Sequence, residues 1–210
     1  MRMRKKKNLI PRMERAGEYL FDVAEMTALT ASDIFSVTAP LYLEVGCGKG
    51  RFLCEQASRH PDRLYVGIER VPDVLVLAME KAQEYQLTNI RFLSADAEKL
   101  GDLFAQHCVD GIYLNFSDPW PKARHEARRL DGPGFLKIYR YLLKPQAPLE
   151  MKTDNVDFFE FGKSLQEMGA TIVDISRDLT AEHRPENIVT EYEQRWSDMG
   201  IKINYLKAIF

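Results

Sequence analysis

The chain has 210 residues, 45% of them hydrophobic and 29% charged, with a formal net charge of −2; that mixture suits one globular domain with a substantial core and excludes a disordered or fibrous chain. No apolar run approaches the roughly 20 residues of a membrane span, and the charged start lacks the apolar stretch of a secretory signal. Cys47, Cys54 and Cys108 have no CxxC spacing, which favours reduced thiols in the cytoplasm and supports neither a disulfide framework nor a metal site.

The small net charge is unevenly laid out. Residues 1–15 carry Arg2, Arg4, Lys5, Lys6, Lys7, Arg12 and Arg15 against Glu14, a local charge of +6, and the remainder carries −8. The expected organisation is a flexible basic arm (1–15) followed by a single domain (16–210), the arm providing a local field where phosphates dock.

Residues 18–29 place Leu20, Val23, Ala24 and Leu29 near helical spacing, and 30–40 reads as a polar connector closed by Pro40. LYLEV (41–45) is a short apolar strand, GCGKG (46–50) is its turn, and a helix follows over 51–59. A strand over 64–69 leads to a helix over 73–86 opened by Pro72, a position where proline is pre-organised. Strand 90–93, a short helix to Phe104, strand 109–115 and a helix over 134–143 come next. Strand 148–153, a helix over 156–168, strand 170–176, a short helix over 190–198 and a closing strand over 201–210 complete the chain.

Seven strands alternating with helices imply βαβ crossovers and a mostly parallel sheet with helices on both faces. Ligands of such sheets bind at the carboxyl ends of the strands. Here those ends carry Glu44 with the turn Gly46, Gly48 and Gly50, then Glu69, Asp96, Asp118 and Asp154. The turn has GxGxG spacing, with Arg51 where a dinucleotide fingerprint wants its third glycine. Carboxylates around the cleft oppose a pyrophosphate and suit a cation rich in hydroxyl and amino donors, which is the chemistry of S-adenosylmethionine. Glu69 is placed for the ribose hydroxyls, Asp96 for the adenine amine, and Glu44 for the methionine end.

The most unusual stretch is IYLNFSDPWPKARHEARR (112–129). Pro119 and Pro121 end the strand, and Asp118, before a proline, is biased towards an extended backbone. Trp120 either stacks on a base or wedges the loop. Lys122, Arg124, His125, Arg128 and Arg129 form a second cationic cluster.

Together EVGCGKG, GIE, SADA, NFSDPWPKARHEARRL, MKTDN and TEYE resemble the bacterial tRNA (guanine-N7-)-methyltransferases over residues 40–210. The resemblance implies a Rossmann-like class I methyltransferase with its last strand antiparallel, moving a methyl group from S-adenosylmethionine to a guanine in the tRNA variable loop. It implies cofactor contacts from Glu44, Glu69, Asp96 and Asp118, with Asp118 also catalytic. Substrate contacts fall to Lys122, Asp154, Thr190, Glu191, Tyr192 and Glu193, RNA contacts to Arg124, His125, Arg128 and Arg129. Members of the family occur as monomers and as homodimers. From the residues themselves, Trp196 reads as core, and Thr190, Glu191 and Glu193 read as exposed. The rival readings are a methyltransferase for another RNA base, a non-catalytic tRNA-binding module and an NAD-dependent dehydrogenase.

Overall fold

A computed structural model of the chain describes residues 8–117, 129–155 and 158–210. Its strands are β1 (Leu41–Val45), β2 (Leu64–Ile68), β3 (Ile90–Leu93), β4 (Gly111–Asn115), β5 (Pro148–Thr153), β6 (Thr171–Ser176) and β7 (Asn204–Ile209). Their order is β3-β2-β1 within residues 1–105 and β4-β5-β7-β6 within residues 106–210. By compactness the chain divides into Met1–Ala105 and Gln106–Phe210.

In the first unit β1, β2 and β3 are parallel, in a register running from Leu41↔Leu64 to Val45↔Ile68 and from Tyr65↔Ile90 to Ile68↔Leu93. Parallel neighbours need long crossovers, which α3 (Arg51–Arg59) and α4 (Pro72–Glu84) supply by packing on β2 and β3. All five residues of β2 are buried, so both of its faces are covered. The amino-terminal segment is partly helical: α1 (Leu9–Arg15) lies on α4, where the Arg12 fork donates to Glu80 at 2.6 and 2.5 Å and Gln83 donates to the Arg15 carbonyl at 3.1 Å. Residues 9–15 of the basic amino-terminal segment thus form α1, and residues 1–7 lie outside the described residues.

Two expectations fail nearby. Residues 18–29 do not form a helix: after a single 3-10 turn at Gly17–Tyr19, Leu20 bridges Phe92 and the Phe21 N–H donates to its carbonyl. The chain then turns through left-handed Glu25 and Ala28 until Leu29 bridges Phe104, just past the short α5 (Leu100–Leu103). Leu20 and Leu29 thus serve as extended docking points instead of one side of a helical stripe. The connector 30–40 contains α2 (Ala31–Phe35), opened by a Thr30/Asp33 capping box in which the Thr30 N–H donates to Asp33 at 2.8 Å.

In the second unit β4 and β5 are parallel, while β7 runs antiparallel to both β5 and β6. Helices α6 (Pro133–Leu142), α7 (Phe158–Glu167) and α8 (Glu191–Asp198) complete it, α7 packing on β6 and β7. Beside the main core, Leu179, Ile203 and Tyr205 make a small cluster against which Phe116 and Trp196 pack. Trp196 is thus a packing residue, as its helical spacing implies.

Candidate functional site

The glycine turn after β1 is built by backbone conformation. Gly46, Gly48 and Gly50 all have positive φ, of 79°, 56° and 74°, which costs an L-residue with a side chain about 1–2 kcal/mol. The Gly46 and Cys47 N–H groups both donate to the Ile68 carbonyl, at 2.9 and 3.0 Å, which folds the turn over the end of β2. Gly50 is the N-cap of α3, and a Cβ there would stand 2.6 Å from the Ala78 Cβ of α4. Gly48 has nothing within 4 Å of its would-be Cβ, so the turn is open at that point.

Three carboxylates lie on β1 or follow β2 and β3. Glu44, on β1, is 3% exposed, a burial that needs a compensating partner for a charged group. Glu69 follows β2 and is half-buried; its N–H donates to the Leu93 carbonyl and one of its oxygens accepts the Val71 N–H at 2.9 Å at the head of α4. Asp96, exposed three residues beyond β3, accepts the Glu98 N–H at 3.2 Å. Each of Glu69 and Asp96 is therefore a turn cap that spends one oxygen on the backbone. Cys47 is buried in the turn: burial first, then the charges of Glu44 and Glu69, push its thiol well above the usual range. Since the thiolate is the nucleophile, this shift disfavours the reactive form. The thiol fits only because residue 67 is glycine, where a Cβ would come within 2.9 Å of the sulfur and 2.6 Å of the Phe92 ring.

The second unit holds the other expected residues that are described. Asp154 is exposed just past β5, and Thr190 caps α8, accepting the Glu193 N–H at 2.9 Å. The expectation that Thr190 and Glu193 are exposed is corrected: they are 6% and 1% exposed. The physical reason is the capping box Thr190/Glu193 together with a buried ion pair, Lys152 to Glu193 at 3.0 Å. Glu191 is half-buried. Tyr192 is 56% exposed and stacks on Phe116, ring centroids 6.1 Å apart. Arg129 is half-buried, and its charge acts on the Asp131 carboxyl, which burial holds above the usual range. Asp118, Trp120, Lys122, Arg124, His125 and Arg128 lie outside the described residues.

Residues 38–206 match the family model described as "Putative methyltransferase". A tRNA (guanine-N(7)-)-methyltransferase of Macrococcus caseolyticus is 44% identical over 179 residues, 85% of each chain. One from Geobacillus kaustophilus is 39% identical across the whole of this chain and 97% of its own. The chain belongs to the tRNA (guanine-N7-)-methyltransferase family. Among solved structures, an antibiotic-related methyltransferase superposes with a TM-score of 0.64 at 19% identity, over 90% of this chain and 97% of that one. A SAM-dependent methyltransferase from Aquifex aeolicus gives 0.59 at 15% identity, over 97% and 99%. These likenesses establish the class I methyltransferase fold, and the antiparallel β7 agrees with it.

Three residues of the second unit are not among those expected from the sequence: Phe116, Lys152 and Asn187. The signals were present. Lys152 is buried beside Met151 in PLEMKT, and a buried lysine has to be paired; Thr190-Glu-Tyr-Glu193 has the T-x-x-E spacing of a capping box.

Proposed function

We propose that this protein transfers a methyl group from S-adenosylmethionine to N7 of a guanine in the variable loop of tRNA, in the cytoplasm. The observation that carries the reading is the set of carboxylates Glu44, Glu69 and Asp96 around an open glycine turn in a chain of this family. Those acceptors fit the cofactor: carboxylates accept from a ribose diol and an adenine amine and favour a cationic ligand, whereas they would repel a pyrophosphate. Bound S-adenosylmethionine supplies an electrophilic methyl on a sulfonium.

Guanine N7 presents an in-plane lone pair and no proton, so the protein need supply no general base. Its task is orientation, which can lower a barrier by as much as roughly 7–11 kcal/mol. Glu69 holds the ribose end, Asp96 the adenine amine, and Glu44 the methionine end. Asp118 stabilises the positive charge that develops on the purine. Asp118 and Asp154 accept from the guanine N1–H and exocyclic amine, a donor pair adenine lacks. Lys122 and the segment Thr190, Glu191, Tyr192 and Glu193 frame the substrate, and Arg124, His125, Arg128 and Arg129 meet RNA phosphates.

The test is methyl transfer from labelled cofactor to unmodified tRNA followed by nucleoside analysis, with a second tRNA carrying 7-deazaguanine at the target. The first should yield 7-methylguanosine. The second should bind yet accept no label, because a C–H replaces the lone pair. Label on any other atom of the analogue would overturn the assignment.

A further inference from the structure

We propose that Lys152 is a positioning residue: its buried ammonium, paired with Glu193, fixes the segment Thr190–Glu193 against the ends of β4 and β5 and so orients the surface that meets guanine. The inference rests on the reading of that segment as substrate-facing.

The pair is closed to solvent, the two side chains being 7% and 1% exposed. Lys152 Nζ donates to Asn187 Oδ1 at 2.5 Å, to the Ile188 carbonyl at 2.7 Å and to Glu193 Oε2 at 3.0 Å, which uses all three ammonium hydrogens. Glu193 Oε1 accepts from Asn187 Nδ2 at 2.6 Å, and Oε2 also accepts the Thr190 N–H at 3.3 Å. Both carboxylate oxygens are committed within the protein, so Glu193 acts on substrate through the fold and not by contact.

The backbone of Lys152 completes a ring of interactions. Its carbonyl accepts the Phe116 N–H at 2.8 Å, immediately past β4. Phe116 has φ 53°, a conformation that a bulky residue keeps only where its surroundings over-determine it. Its ring stacks on Tyr192, in the first turn of α8, whose Glu193 returns to the Lys152 ammonium. Asp154 stands two residues beyond Lys152 on a strand end pinned by Asn204, whose amide donates to the Thr153 and Asn155 carbonyls at 3.4 and 3.3 Å. Lys152 thus ties Phe116 through its carbonyl and α8, with Tyr192, through its ammonium, to the strand that leads to Asp154. Stability alone does not call for it, since a buried ion pair replaced by uncharged groups of similar volume is often neutral.

The informative variant is therefore the double change Lys152→Met with Glu193→Gln, which removes both charges and keeps the capping acceptor. The expected result is a kcat on tRNA lowered ten- to hundredfold, with affinities for tRNA and S-adenosylmethionine within threefold of wild type and a melting temperature within a few degrees. Amide hydrogen exchange over 187–193 should quicken. Wild-type kcat, or unchanged exchange in that segment, would overturn the proposal and leave the pair a structural feature. Asn187→Ala loosens the same segment without stranding a charge and should lower kcat several-fold even if the double variant fails to fold; wild-type kcat there would equally overturn it. Tyr192→Ala separates the two readings. Wild-type kcat/KM in that variant removes the segment from the substrate surface, and the role of Lys152 falls with it; a loss there beside wild-type kcat in the double variant removes Lys152 alone.

Discussion

Glu69 serves two masters at the end of β2. One oxygen accepts the Val71 N–H at 2.9 Å and shapes the entry to α4, and the proposed function assigns the carboxylate to the cofactor's ribose. Hydrogen bonds to a charged group contribute about 1.5–3 kcal/mol each, so Glu69→Ala should weaken S-adenosylmethionine binding at least tenfold. Loss of the turn hydrogen bond should cost only about 0.5–2 kcal/mol of stability, the range of a lost helix cap. Affinity for tRNA should stay within twofold, because the proposed function gives the residue to the cofactor and not to RNA. Calorimetry of the variant decides: unchanged cofactor affinity would remove Glu69 from the ribose role. At this scale the sequence is half legible. The acids at strand ends are visible as residue types in register, whereas the burial of Glu193 is not, because its partner Lys152 is 41 positions away.

Elements are most legible where local and tertiary demands agree. β1, β3, β5 and α3 occupy the residues expected from apolar runs bounded by glycine, proline or acid. The segment 18–29 departs from its helical period because its leucines answer to partners far along the chain, Phe92 and Phe104, and that period is coincidental. The short α2 breaks the expected connector although Thr30-x-x-Asp33 announces its cap. The glycine turn offers a controlled comparison between backbone and packing costs. Gly48→Ala meets open space and should lose only the left-handed backbone preference, about 1–2 kcal/mol. Gly50→Ala bears that same cost and also drives a Cβ into Ala78 at 2.6 Å, with the Ala78 Cα at 3.0 Å. Overpacking of this kind adds typically about 1–3 kcal/mol, because α3 and α4 must part. Urea unfolding without cofactor should therefore place the Gly50→Ala midpoint clearly below that of Gly48→Ala. Equal midpoints would show that α4 yields freely and that the close approach is not a constraint.

For the molecule as a whole, the charge layout sets how RNA is met. A chain of net charge −2 attracts a polyanion only through local clusters, and the structure shows that not every cation in them is available. Arg12 is forked onto Glu80 at 2.6 and 2.5 Å, and Arg129 is half-buried. The cationic character of 122–129 is legible from composition; the division of labour within it is not, since it depends on which arginines already face an acid. Replacing Arg124 and Arg128 together with alanine should weaken tRNA binding and flatten its salt dependence. Each phosphate that is no longer neutralised should reduce the log–log slope by about 0.9 on a duplex or about 0.7 on a single strand. Arg129→Ala should change the slope by less than one such step, because Arg129 is half-buried. Affinity for S-adenosylmethionine should not move in any of these variants, which separates a docking defect from a disturbed fold. Should tRNA affinity fall while the slope stays at its wild-type value, these arginines hold the loop in shape and do not touch phosphate.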